Sequence, residues 1–136
     1  MTSSITTDDA MRILFSNRIL ALETLLDIED KSRRLVPFKL NPIQKDMITT
    51  SLWRDIYVKP AQVGATSVHI ADFYLDNITV NGTTSAIISY DEASAKRLIL
   101  KAKRFHRYLQ KKIPTIPKLE HKGAEELTWE NKDTNH

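Results

Sequence analysis

The residues most able to do chemistry lie in one run, Lys59-Pro60-Ala61-Gln62-Val63-Gly64-Ala65-Thr66. Set against the phosphate-loop pattern G-x-x-x-x-G-K-[ST], Gly64 takes the second glycine, Thr66 the hydroxyl position, and Ser67 offers a hydroxyl one residue on. A glycine there lets the backbone approach a phosphate, and a helix opening just after it presents unpaired N–H groups and a positive dipole end. A threonine hydroxyl at that point suits Mg²⁺. The first glycine of the pattern is replaced by Lys59 and its usual lysine by Ala65. The required cation is therefore expected at Lys59, at the C-terminal end of a short strand, where a four-carbon stem swings over the same phosphates.

A second charged feature is the segment from residue 96 to residue 122, which holds 10 basic residues and 1 acidic one, whereas residues 1–95 carry a net −3. At helical spacing Lys96, Arg97, Lys101, Lys103, Arg104, Arg107, Lys111 and Lys112 fall on one half of a helix, and Ala95, Leu98, Ile99, Ala102, Phe105, Leu109 and Ile113 on the other. On charge alone such a face is either a site for an anionic partner, nucleic acid above all, or a solvated helix face. The four histidines (His69, His106, His121 and His136) show no metal-ligand spacing and suit surface or packing roles. Trp53 and Trp129 suit the core or its rim.

These residues need elements to position them. An apolar stretch over residues 10–28 predicts one amphipathic helix, followed by a charged stretch and then by Pro37 and Pro42, which disfavour helix. Asn41 and Pro42 predict the start of a helix over residues 42–53. Residues 55–58 predict a strand, residues 65–78 a helix, Asn81-Gly82 a turn, and residues 84–90 a buried strand. Asp91 caps the clearest helix, which runs to residue 113; residues 114–123 read as loop and residues 126–131 as a last short strand. Strand, helix, strand, helix, strand is an α/β order, with parallel pairing and right-handed crossovers expected.

The displaced-lysine loop resembles the deviant phosphate loop of the large terminase subunits of tailed phages, the motors that pump DNA into capsids. Lys59, Ala61, Val63, Gly64 and Thr66 match its lambda-like form position by position, and Gln62 stands where that family often has arginine. Upstream, residues 28–31 and 36–44 are similar to the segment preceding the terminase ATPase core. The resemblance implies that Gln44 reads adenine, that Phe38 packs on the purine face, and that Lys59 to Ser67 bind the phosphates, with Thr66 on Mg²⁺. It also implies an α/β phosphate-loop core of the RecA/ASCE-like kind with an incomplete parallel sheet. Residues 1–41 would form a helical lead-in and adenine-side segment, and residues 42–136 a partial ATPase core.

Other implications concern cofactors and partners. ATP and Mg²⁺ are the expected cofactors of the full-length protein. Double-stranded DNA, the small terminase subunit and the portal or procapsid are its expected partners, and the host cytoplasm its place of work. A phosphate-loop ATPase also needs four apolar residues followed by Asp or Asp-Glu, and no such string occurs in the 136 residues. The expectation is therefore an N-terminal portion that binds nucleotide without turning it over. Two alternatives compete: a non-enzymatic nucleic-acid-binding module using the basic helix, and a helicase-like ATPase fragment. Composition excludes other classes. There is no cysteine for disulfides, thiolate zinc or a cysteine nucleophile. No apolar run reaches the roughly 18 residues of a membrane span.

Overall fold

The computed structural model describes residues 7–52, 64–80, 82–123 and 125–129. The predicted strand over residues 55–58 and the loop residues Lys59, Pro60, Ala61, Gln62 and Val63 lie outside them, as does Trp53.

The single helix expected over residues 10–28 is two, α1 (Thr7–Ser16) and α2 (Arg18–Leu25). Asn17 divides them: its backbone is extended, at φ −119°, and its side chain accepts a hydrogen bond from the Leu20 N–H at 3.1 Å. A capping asparagine set inside an apolar run ends one helix and starts the next. The charged stretch that follows is the turn of a hairpin, with β1 (Asp27–Glu29) antiparallel to β2 (Leu35–Pro37) and Ile28 opposite Val36. Asp30 organises this turn, its Oδ1 accepting from the N–H groups of Ser32 at 2.8 Å and Arg34 at 2.9 Å. The Arg34 backbone bond is the main cause that holds the Asp30 carboxyl below its ordinary range.

Helix α3 (Pro42–Thr49) opens as the sequence predicts. Asn41 caps it and Pro42 fills the first turn, where a missing N–H costs nothing. It ends four residues early. Thr50 already lies off helical geometry, and the Thr49 and Thr50 hydroxyls donate back to the carbonyls of Lys45 and Asp46. Helix α4 (Ala65–Thr79) and helix α5 (Glu92–Lys112) match their predicted spans to within a residue. Asp91 caps α5 as expected, accepting from the Ser94 N–H at 2.7 Å. The chain closes with β3 (Leu119–Lys122) antiparallel to β4 (Leu127–Trp129), so part of the predicted 114–123 loop is strand.

The buried strand expected over residues 84–90 is not formed. Ile88 is 94% and Tyr90 91% exposed, and no described strand pairs with the segment. A short apolar run is a poor guide by itself, since burial of a strand requires neighbours on both edges and both faces. Among the described residues the sheets are two antiparallel pairs, and no parallel sheet occurs.

One core gathers residues from both sides of position 41. Leu22, Leu25 and Leu26 from the N-terminal part meet Val68, Ala71 and Leu75 of α4 and Ala102, Phe105 and Leu109 of α5. Arg18 ties α2 to α4, its Nε standing 3.1 Å from Asp72 while its terminal nitrogen pairs with Asp76. Burial of Asp72 outweighs the Arg18 charge and raises its carboxyl above the ordinary range. On the far side of the core, His106 Nδ1 faces the Tyr74 hydroxyl at 2.9 Å and the Trp129 indole N–H at 3.2 Å. The indole can only donate, so Nδ1 is the acceptor and the ring proton sits on Nε2.

Candidate functional site

A cavity of about 310 Å³ opens where β1, α3, the start of α4 and the middle of α5 converge. That volume lies at the lower end of the roughly 300–1,000 Å³ typical of small-molecule sites. Four residues from the nucleotide reading line it: Phe38, Gln44, Gly64 and Ser67. Two from the basic-face reading, Lys101 and Arg104, join them, and Asp27, Glu29, Phe105 and Tyr108 complete the charged and aromatic wall.

Gly64 is fixed by local geometry. It is the N-terminal cap of α4 with φ at +77°, a left-handed conformation that only glycine adopts at little cost. Its carbonyl accepts from the Gln44 side-chain amide at 3.0 Å. A Cβ on residue 64 would lie 2.5 Å from that same nitrogen. Gln44 is 5% exposed, and its Oε1 accepts from the Asn41 N–H at 2.9 Å, completing a capping box for α3. The amide thus spans two helix starts and keeps one N–H and one lone pair for any other partner. Phe38 is buried, its ring tilted against Phe105 at a centroid distance of 6.0 Å, so it serves as a core wall beneath the cavity.

Thr66 and Ser67 occupy successive positions of the first turn of α4, and only Ser67 lines the cavity. Its hydroxyl accepts from the Lys101 ammonium at 2.9 Å. Ala65 is buried in the core. Lys101 is half-buried, and that burial, with the Arg104 guanidinium nearby, pushes its ammonium below the ordinary lysine range. No side chain caps the first turn of α4.

The two carboxylates that line the cavity already have partners. Asp27 pairs with Lys112 at 2.8 Å, and Glu29 accepts from the Tyr108 hydroxyl at 2.5 Å. Among the described residues no group of three or more metal-ligating side chains occurs. The polar groups that the cavity can offer a phosphate are the Ser67 O–H, the two cations Lys101 and Arg104, and the remaining N–H of Gln44.

The eight basic residues lie on α5, but much of their charge is committed. Lys96 pairs with Glu92, and with Glu125 at 3.4 Å; Arg97 donates to the Ser94 hydroxyl at 2.6 Å. Arg107 donates to the Tyr108 hydroxyl at 3.2 Å, with its guanidinium 5.1 Å from the ring centre. Lys103, Arg104 and Lys111 have no ion-pair partner among the described residues. The spacing predicts Lys101 on an outer face, whereas its side chain turns inward to Ser67. The available signal was position: Lys101 and Lys112 sit at the margins of the apolar arc, where a long side chain can turn in. His106 takes the packing role that the sequence allows it, in the core.

No family model, curated protein or solved structure matches this chain.

Proposed function

We propose that the chain is the nucleotide-binding portion of a DNA-packaging motor of the terminase large-subunit kind, with an α/β phosphate-loop core, binding ATP with Mg²⁺ as its cofactors. The observation that carries this reading is the cavity itself. Gln44, Gly64 and Ser67, picked out from the loop pattern and the segment before it, line one recess together with two cations. Lys59 completes the reading from the sequence side, and Thr66, beside Ser67, is the proposed Mg²⁺ hydroxyl. The Gln44 amide would address adenine with its remaining N–H and lone pair while still holding Gly64.

The test is titration of the chain with ATP and Mg²⁺, followed by calorimetry or by backbone amide shifts. ATP is expected to bind more tightly than adenosine, and Lys59→Ala to weaken it by roughly tenfold or more, the scale of one lost charge-assisted bond. Turnover is expected to be negligible, because the sequence holds no acidic motif to position Mg²⁺ and water. ATP binding that is unaffected by Lys59→Ala, or equal to adenosine binding, would remove the proposal.

Nucleic-acid binding by α5 is the second reading, supported by Lys103 and Lys111, which have no ion-pair partner among the described residues. It predicts weak, sequence-independent DNA binding that falls steeply with salt, as counterion release requires. Charge reversal at Lys103 and Lys111 should reduce the salt slope by about 2, whatever the DNA sequence.

A further inference from the structure

The cavity contains an arrangement that the phosphate-loop pattern does not anticipate. Lys101 and Arg104 are three residues apart on α5 and both line the recess opened by Gly64 and Ser67 of α4. Lys101 donates to a neutral hydroxyl, and no carboxylate stands among the causes acting on its ammonium. The acids that share the cavity, Asp27 and Glu29, are engaged by Lys112 and Tyr108. Lys101 is partly desolvated and repelled by the exposed Arg104 guanidinium, and a hydrogen bond to a neutral hydroxyl does not neutralise its charge. Such a pair is favourable once an anion lies between them, and an oxyanion with three or more acceptor oxygens matches an ammonium, a guanidinium and a hydroxyl together.

We propose that Lys101, Arg104 and the Ser67 hydroxyl form an oxyanion subsite for the phosphate chain of a polyphosphate ligand, so that α5 supplies binding charge from outside the phosphate loop. The identity of the ligand as a nucleotide rests on the function proposed above; the subsite itself does not. Ser67 accepts from Lys101 and keeps its own hydroxyl proton for a phosphoryl oxygen, while Arg104, exposed at the mouth, reaches the outermost one.

The experiment titrates the 136-residue chain separately with inorganic tripolyphosphate, adenosine and ATP, using backbone amide shifts and calorimetry. Tripolyphosphate is expected to bind, with Lys101→Gln weakening it about tenfold or more and Arg104→Gln by about threefold or more. Lys118→Gln, a basic residue outside both the cavity and α5, should change it less than about twofold. Arg104 is exposed, so its variant carries the test even if Lys101→Gln fails to fold. Equal losses in all three variants, or none in the Arg104 and Lys101 variants, would overturn the subsite. Tripolyphosphate binding that depends on Lys101 and Arg104, with ATP no tighter than tripolyphosphate, would keep the subsite and remove the nucleotide reading. ATP binding tighter than tripolyphosphate and untouched by Lys101→Gln and Arg104→Gln would do the reverse. No binding of either would remove both.

Discussion

The Gln44 side-chain amide donates to the carbonyl of Gly64 at 3.0 Å, and the glycine leaves no room for a side chain between them. This one contact links the start of α3 to the start of α4 and places the first turn of α4 at the edge of the cavity. It also gives Gly64 two independent reasons to be glycine, neither of which involves a ligand: its positive φ and the close amide.

Gly64→Ala should accordingly destabilise the fold by about 1–3 kcal/mol, the cost of a residue forced into a sparsely populated backbone region with a steric contact added. Truncating the amide relieves the second part. In a Gln44→Ala background the same substitution should cost only the backbone part, about 1 kcal/mol. Urea denaturation of the four proteins gives the coupling directly. Additive losses would mean that the amide moves aside at no cost.

Asp91 governs the start of α5. Its carboxylate accepts from the Ser94 hydroxyl and N–H, each at 2.7 Å, and these bonds, the hydroxyl first, hold its pKa below the ordinary 3.8. A carboxyl with a lowered folded pKa contributes stability that is fully present above about 3.8 and lost as pH falls through the folded value. Asp91→Asn should keep the cap and flatten the part of the acid limb below pH 3.8, whereas Asp91→Ala should also reduce helicity at neutral pH. Circular dichroism across the acid range distinguishes the two.

For Lys101 the sign is reversed. Burial, then Arg104, lowers the folded pKa of this base beneath its ordinary 10.5, so the unfolded chain binds the proton more readily. Stability is therefore diminished at neutral pH and recovered as pH rises from the folded value towards 10.5. Lys101→Met should raise the melting temperature near pH 7, and the gain should shrink with increasing pH. The same variant should lose tripolyphosphate binding. A residue whose removal stabilises the fold but abolishes binding is the pattern expected of a binding group. A fall in melting temperature at pH 7 would instead mark Lys101 as structural.

Tyr74 is buried, and its hydroxyl meets His106 Nδ1 at 2.9 Å. Tyr74→Phe keeps the ring against Phe105 and Trp129 but removes one of the two groups facing that nitrogen. The expected loss is about 1 kcal/mol, because the Trp129 N–H still donates to Nδ1. Burial also raises the Tyr74 pKa, so the unfolded chain loses this proton first and stability falls as pH rises past about 10. The variant should show a shallower alkaline limb in thermal melts.

What was legible in the sequence was local. The Asn41-Pro42 and Asp91 starts depend on residues within one turn, and both are where the chain places them. The two faces of α5 follow from spacing alone, and Phe105 and Leu109 are buried as that spacing requires. Asn17 was not legible as a break, since leucine and isoleucine continue on both sides at compatible intervals. The β1–β2 hairpin has only three residues a side, and its turn, at Asp30 to Arg34, is charged like any solvated loop. At the candidate site, Gln44 and Ser67 were named for chemistry, but the partners they hold could not be. Those partners are set by how α3 and α5 cross α4, and packing of distant apolar faces decides that angle.

The hydrogen bond from Tyr108 to Glu29 joins residues 79 positions apart. In kinetic terms, α5 is the closing element: it follows in synthesis nearly everything it covers, so β1 and the apolar side of α4 wait for it. Closing a loop of that length costs about 4 kcal/mol of chain entropy beyond a constant. Few of the α5 contacts reward the chain before several form together. Folding is therefore expected to be slow for so helical a chain, and a nascent polypeptide shorter than about 110 residues exposes Phe38 and Tyr74 to whatever holds it on the ribosome.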